Sequence, residues 1–280
     1  MGRKERRRRR IKWSFRSLLL SGVLALAVYY VVAFRAPNQV PAPAVAARIY
    51  SASRPAADQP VVPVHRQEPL PATAMLNVPA QSQYPQLPNG CEVTSLSMLL
   101  TAAGHPVNKM VLAKEEPTDP TKLVLDIYRN AENKTVHVVK FWGNPNRGFV
   151  GQVGVANYGY GIYHGPLTKL LNRVLPGRAE DLTGRPFSAV LAQVARGIPV
   201  VAWTTTTFRP TDDWVTWESP EGPVHATPLE HAVLIVGYNK NQIFVNNPLN
   251  GRRAQPVDKE EFIQAWRQLG EQAVTVRPLY

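Results

Sequence analysis

Apolar and polar positions alternate in different rhythms along this chain, and each rhythm predicts an element. SLLLSGVLALAVYYVVAF (17–34) is an uncharged run between Arg16 and Arg35. At a rise of about 1.5 Å per residue it makes a helix of roughly 27 Å, close to the roughly 30 Å core of a bilayer. No polar face interrupts it, so a transmembrane anchor is expected rather than a buried core helix. A cleaved signal peptide is the competing reading, with AVAA (44–47) as a cleavage site, but the run is longer than such a region needs. Periodicity then vanishes. Residues 36–72 hold eight prolines and nine alanines, the composition of a stiff, extended spacer.

Regular patterns resume near Ala74, where AMLNVPAQSQYP first reads as a strand. In CEVTSLSMLLTAAG, apolar residues at Val93, Leu96, Leu99 and Leu100 with Gly104 beyond them predict a helix starting near Cys91. Shorter helical patterns follow in VNKMVLAKEE, GPLTKLLNRVL and FSAVLAQVAR, and GIPVVAWTTT reads as a buried strand. An aromatic and charged stretch, 208–228, is expected to be a loop. Two β-rich runs, 231–238 and 242–246, flank Asn239-Lys240-Asn241 and predict a hairpin. DKEEFIQAWRQLG predicts a helix capped by Asp258, and QAVTV a last strand. Helices come first and a mostly antiparallel sheet after, so an α+β domain is expected over 74–280.

Charge changes the picture at one end only. Residues 1–16 hold nine Lys or Arg against one Glu, which carries +8 of the net +12. A basic block before an apolar span fixes topology and attracts anionic lipid. The expectation is a cytoplasmic tail (1–16), an anchor (17–34), a linker (35–73) and an extracellular domain at the cell membrane. No nucleic-acid partner is expected.

The single cysteine, Cys91, follows Gly90 at the start of its helix. A thiol there meets unpaired backbone N–H groups and the positive end of the helix dipole, which favour thiolate and can hold an oxyanion. A thiol nucleophile needs a base and a group to orient it. His65 lies in the linker, His225 in the loop, and His105, His137 and His164 show no acid or amide partner in the sequence. His231 opens a strand. If Tyr238 pairs with Gln242, Val233 faces Asn247, and His231 and Asn247 become diagonal neighbours roughly 7–8 Å apart on one face. Gln83 or Gln86 can then supply a second oxyanion donor. There is no cysteine pair for zinc, no HExxH and no phosphate-cradling glycine loop, so no cofactor or metal is expected.

LNVPAQSQYPQLPNGCEVTSLSMLL followed by EHAVLIVGYNKNQIFVNNP is similar to the stand-alone relatives of the bacteriocin-processing (double-glycine) cysteine peptidases. These are the peptidase C39-like group of papain-like proteins. The resemblance covers most of 75–276 and includes GFVGQ and ARGIPVVAW as weaker segments. It implies a papain-like fold with Gln83 as oxyanion glutamine, Cys91 as nucleophile and His231 as base. The group's third residue is usually aspartate, and here Asn247 stands in its place. The papain signature C-G-[SA]-C-[WY] is missing, although the separation of Cys91 from His231 suits that type. The implied activity is hydrolysis of a peptide or amide bond. The partner would be a peptide or protein substrate, cell-wall peptide included. Acyl transfer and an inactive surface-binding module are the alternatives.

Overall fold

The computed structural model describes residues 69–278, so the expected tail and anchor and most of the linker lie outside the described residues. Among the described residues no helix is long and apolar enough to cross a membrane.

The helix predicted from CEVTSLSMLLTA is α1, Cys91–Ala102. Every residue from Cys91 to Leu100 is buried, so α1 has no solvent face for most of its length. With only one charged residue, Glu92, and small hydroxyl side chains between its apolar ones, the helix suits the inside of a domain. Its two serines are satisfied from outside the helix: Ser95 Oγ donates to the Ala232 carbonyl at 3.2 Å and Ser97 Oγ to that of Val107 at 2.6 Å. Next come α2 (Lys109–Glu115), capped by the Asn108 side chain, α3 (His164–Val174) and α4 (Phe187–Ala195). The expected Asp258 cap is present on α5, Lys259–Gln268, where its carboxylate accepts from the Glu261 amide at 3.0 Å.

Strands β1 (Ala74–Met75), β6 (Ala179–Asp181), β7 (Val200–Thr205), β10 (Glu230–Tyr238), β11 (Gln242–Asn247), β12 (Arg252–Asp258) and β13 (Ala273–Val276) build one antiparallel sheet. Its order is β12-β11-β10-β7-β13-β6, with β1 also paired to β10. All nine residues of β10 are buried, which places that strand at the centre. Period-two alternation sorts its side chains between two cores. Ala232, Leu234 and Val236 join α1 and α3 on one face, while Val233, Ile235 and Tyr238 join α4 and α5 on the other. The result is helix, sheet, helix, with α1 pressed against the middle of the sheet.

Three expectations need correction here. The strand expected near Ala74 is two residues long, and the chain from Val78 to Gly90 is irregular. The stretch 208–228 is not a loop throughout. It carries the hairpin β8 (Val215–Ser219) and β9 (Gly222–Ala226). That hairpin joins β3 (Val124–Arg129) and β4 (Thr135–Phe141) in a second sheet ordered β3-β4-β8-β9. A parallel pair, β2 (Thr118–Asp119) and β5 (Phe149–Val150), links the segments between them.

The last correction concerns the 231–247 hairpin. Tyr238 pairs with Ile243, not Gln242, because the Asn239 amide donates to the Gln242 carbonyl and lengthens the turn by one residue. A bulge between Ile235 and Gly237 then takes up one residue, and Leu234 pairs with Asn246. The two shifts cancel. His231 and Asn247 therefore share a face as expected, for a reason the expectation lacked.

Candidate active site

Cys91 is the first residue of α1, so its amide has no acceptor within the helix. The turn before it is tight. A Cβ on Gly90 would stand 2.7 Å from Leu87 Cβ, which explains the glycine beside the cysteine. The turn is held by the Gly90 amide donating to Leu87 O and the Leu87 amide donating to Gln83 O, both at 3.0 Å.

Those bonds also decide between the two glutamines. Gln83 is buried, its backbone amide donates to Pro248 O at 2.8 Å, and its Nε2 donates to Pro88 O at 2.7 Å. Its Oε1 is buried without a partner. Gln86 is exposed, and its Oε1 accepts from Lys109. Gln83 faces the cysteine cleft and Gln86 does not.

His231, at the start of β10, is 2% exposed, and its Nε2 stands 2.9 Å from Asn247 Oδ1. The network assigns the tautomer. Asn247 Nδ2 donates to Gln255 Oε1 at 3.1 Å and its Oδ1 accepts from the Leu249 amide, so Oδ1 points at the ring as an acceptor. Nε2 must then carry the hydrogen, and Nδ1 keeps its lone pair. Burial lowers the imidazole pKa to about 4, against a smaller upward effect of the Asn247 bond.

Gln83, Cys91 and His231 line one cleft of about 390 Å³. Its far wall is aromatic. Trp217, from β8, is buried, donates Nε1 to Gly143 O at 2.9 Å and packs edge-on against Tyr160 and tilted against Trp142. Trp214 instead stacks on the His225 ring, with centroids 4.8 Å apart. Of these two tryptophans from the 208–228 stretch, Trp217 lines the cleft and Trp214 does not.

The electrostatics of the thiol differ from expectation. Burial, then the charges of Glu92 and Glu230, hold Cys91 well above the usual thiol range, although the Ala232 amide acts the other way. The helix terminus favours thiolate, but desolvation and two acids outweigh it. The resting sulfur is a thiol, whose S–H donates to Glu92 Oε2 at 3.3 Å. Glu92 is fully buried and raised to about 7 by that burial, while its Oε1 accepts from the Ile162 amide at 2.8 Å. Glu230, directly before His231, has the parity of the α1 face and is raised well above the usual carboxyl range. The sequence reading missed both acids. In sequence Glu92 is an acid in the first turn of a helix and Glu230 an acid before a histidine, and neither position alone marks a site. The available signal was an acid beside a lone thiol at the start of a helix whose other residues are uncharged.

His164, for which the sequence shows no acid partner, has one in space. Its Nδ1 stands 2.6 Å from Asp181 Oδ2. Neither residue lines the cleft, so this pair does not compete with His231.

A further acid, Glu116, is buried with both carboxylate oxygens unpartnered, and burial followed by the Glu92 charge raises its pKa. A raised carboxyl favours the folded state at low pH and loses that contribution as pH rises through its folded pKa. Glu116→Gln is therefore expected to raise stability at pH 8 by about 1–3 kcal/mol. The gain should disappear by about pH 4. Thermal unfolding at the two pH values checks this.

A thiol on a helix terminus, packed against a sheet that carries a histidine bonded to a carboxamide, is the arrangement of the papain-like fold. The comparisons agree. Residues 75–274 match the model described as the Peptidase_C39 like family. The chain belongs to that family. It is 36% identical over 197 residues to the uncharacterized protein YvpB of Bacillus subtilis (strain 168), covering 70% of this chain and 72% of that one. A crystal structure from Bacillus anthracis, provisionally described as a C39-like peptidase, is 39% identical with a TM-score of 0.64. That match covers 74% of this chain and 98% of the other.

Proposed function

We propose that this protein is a cysteine hydrolase that cleaves a peptide or amide bond through Cys91, His231 and Asn247, with Gln83 at the oxyanion. The observation that carries the reading is the shared cleft. Cys91 and His231 are 140 residues apart in the chain, yet both line it. His231 Nδ1 takes the thiol proton as Sγ attacks the substrate carbonyl, because Nε2 is committed to Asn247. The same nitrogen then returns the proton to the leaving amine. The Cys91 amide and Gln83 Nε2 stabilise the oxyanion, and water resolves the acyl-enzyme. Because the resting thiol is neutral, deprotonation accompanies attack and does not precede it. Asn247 orients the imidazole without adding negative charge, so the imidazolium is stabilised less than an aspartate would allow.

The N-terminal apolar run tethers the domain to the cell membrane, with the basic block on the cytoplasmic side and the cleft outside. Peptides at the cell surface, cell-wall peptides among them, are the substrates within reach. The aromatic wall of Trp142, Tyr160 and Trp217 suits an apolar side chain flanking the scissile bond.

A second reading draws on one observation. The thiol is held neutral by burial and two acids, as in a protein that keeps the fold and only binds its peptide. Profiling a peptide library with the wild type and with Cys91→Ala separates the two. Cleavage by the wild type alone supports the hydrolase, and retention of peptides without cleavage by either protein supports the binder.

A further inference from the structure

Two buried acids beside a lone thiol are more than proton transfer needs. Cys91 Sγ and one carboxylate oxygen each from Glu92 and Glu230 all lie within 4.8 Å of one another. None of the ion pairs among the described residues involves either acid. Glu230 Oε1 is buried without a hydrogen-bond partner, and its side chain lines the cleft next to the sulfur. Buried acceptors of this kind are ordinarily satisfied, so the orphan points to a missing donor or cation.

The backbone leaves room at the same place. A Cβ on Gly161 would stand 2.5 Å from Glu92 Oε1 and 3.1 Å from Glu230 Oε2. Glycine keeps the space over the two carboxylates open.

We propose that Cys91, Glu92 and Glu230 form a zinc site at the base of the cleft, and that the bound ion blocks the thiol until it is removed. The donor set selects the metal. A thiolate with two carboxylates suits zinc, whereas magnesium and calcium take oxygen donors alone. Tetrahedral zinc at about 2.3 Å from sulfur and about 2.1 Å from oxygen sets its donors roughly 3.4–3.6 Å apart. Sγ and Glu92 Oε2 are already 3.3 Å apart, so a modest rotamer adjustment of Glu230 closes the set. The fourth position opens to the cleft, where water or the His231 ring completes it. On binding, the thiol proton and any proton held by the carboxyls go to solvent. The ion then occupies the sulfur lone pair that would attack a carbonyl. The inhibitory half of this proposal rests on the reading of Cys91 as nucleophile, and the binding half does not.

The test uses tag-free, metal-stripped full-length protein titrated with cobalt(II) and then zinc. The expected result is one ion per chain with a near-ultraviolet sulfur-to-cobalt charge-transfer band, displaced by zinc. Cys91→Ala should lose the band. Glu92→Gln and Glu230→Gln should each weaken binding by about tenfold or more. Zinc should also slow alkylation of Cys91 in the wild type, and a chelator should restore it. No sulfur band in the wild type overturns the proposal whatever the variants do. A band of unchanged affinity in both glutamine variants overturns it as well. Zinc bound through Cys91 in a stripped protein that cleaves no peptide would sink the hydrolase and keep the site. Turnover by stripped protein that is indifferent to zinc would do the reverse.

Discussion

Replacing His231 by alanine should lower kcat/KM for peptide hydrolysis by about 10²- to 10⁴-fold, the range for loss of a positioned general base. The fold should survive, because the ring sits at the cleft end of β10 and not among the side chains that join the sheet to α1. The pH profile gives the sharper reading. Burial holds the imidazole near a pKa of about 4, so it remains neutral and able to accept a proton at every pH above that. The acid limb of kcat/KM is therefore expected near pH 4, well below the roughly 6.5 of a free histidine. The same shift works on stability in the acid direction. Above about pH 6.5 it contributes nothing, and between there and about 4 the unfolded chain binds a proton that the folded one refuses. A limb near pH 7 would assign the controlling proton to Glu92, whose pKa lies at about 7.

The largest stability effect should come from Trp203→Ala. Trp203 is fully buried on β7, opposite Ala232 of β10, within the core that α1 shares with the sheet. Its Nε1 donates to the Ile162 carbonyl at 3.1 Å, close to where the Ile162 amide binds Glu92. Truncation leaves a cavity and an unpaired buried carbonyl, and is expected to cost about 3–5 kcal/mol. For a domain of this size that lowers Tm by roughly 6–20 °C. Because Ile162 also holds Glu92 beside the Cys91 thiol, activity should change in this variant even at temperatures where it remains folded. Thermal unfolding followed by far-ultraviolet circular dichroism, with activity measured below the transition, checks both parts.

The legible parts of this chain were those built into the interior of the domain. Leu96, Leu99 and Leu100 announced α1, and the unbroken apolar run from Ala232 to Val236 announced β10, because both elements lie inside the domain and β10 is covered on both faces. The hairpin β3-β4 gave no such signal. All six residues of β3 are exposed, and its apolar residues Val124, Leu125, Ile127 and Tyr128 do not alternate cleanly with polar ones, so VLDIYR shows no period-two face. The 215–226 hairpin was masked in the same way by polar residues on its outer face, with Trp217, Val224 and Ala226 pointing inward.

The site divides similarly. Cys91, His231 and Asn247 were legible because a helix start and a hairpin register fix where each lies. The bulge inside LIVGY was not, since a uniformly apolar strand carries no mark of a one-residue shift. Nor was the charge state of the thiol. Local helix polarity predicts thiolate, while the outcome depends on Glu92 and Glu230 folding into the same dry pocket. The residues alone left Gln83 and Gln86 open and the resemblance pointed to Gln83, which is the one whose amide donates to the Pro248 carbonyl.

The central claim is that His231 activates Cys91 inside the shared cleft, and the most direct measurement is the rate of covalent labelling of that sulfur. Intact-mass spectrometry of metal-stripped protein treated with a peptidyl electrophile should show one adduct on Cys91, formed faster in the folded protein than in urea. The rate should drop sharply in His231→Ala, while a small alkylating agent reacts more slowly with the folded form than with the unfolded one. A peptidyl adduct that forms no faster in the folded wild type than in urea, or at the same rate without His231, would contradict the account.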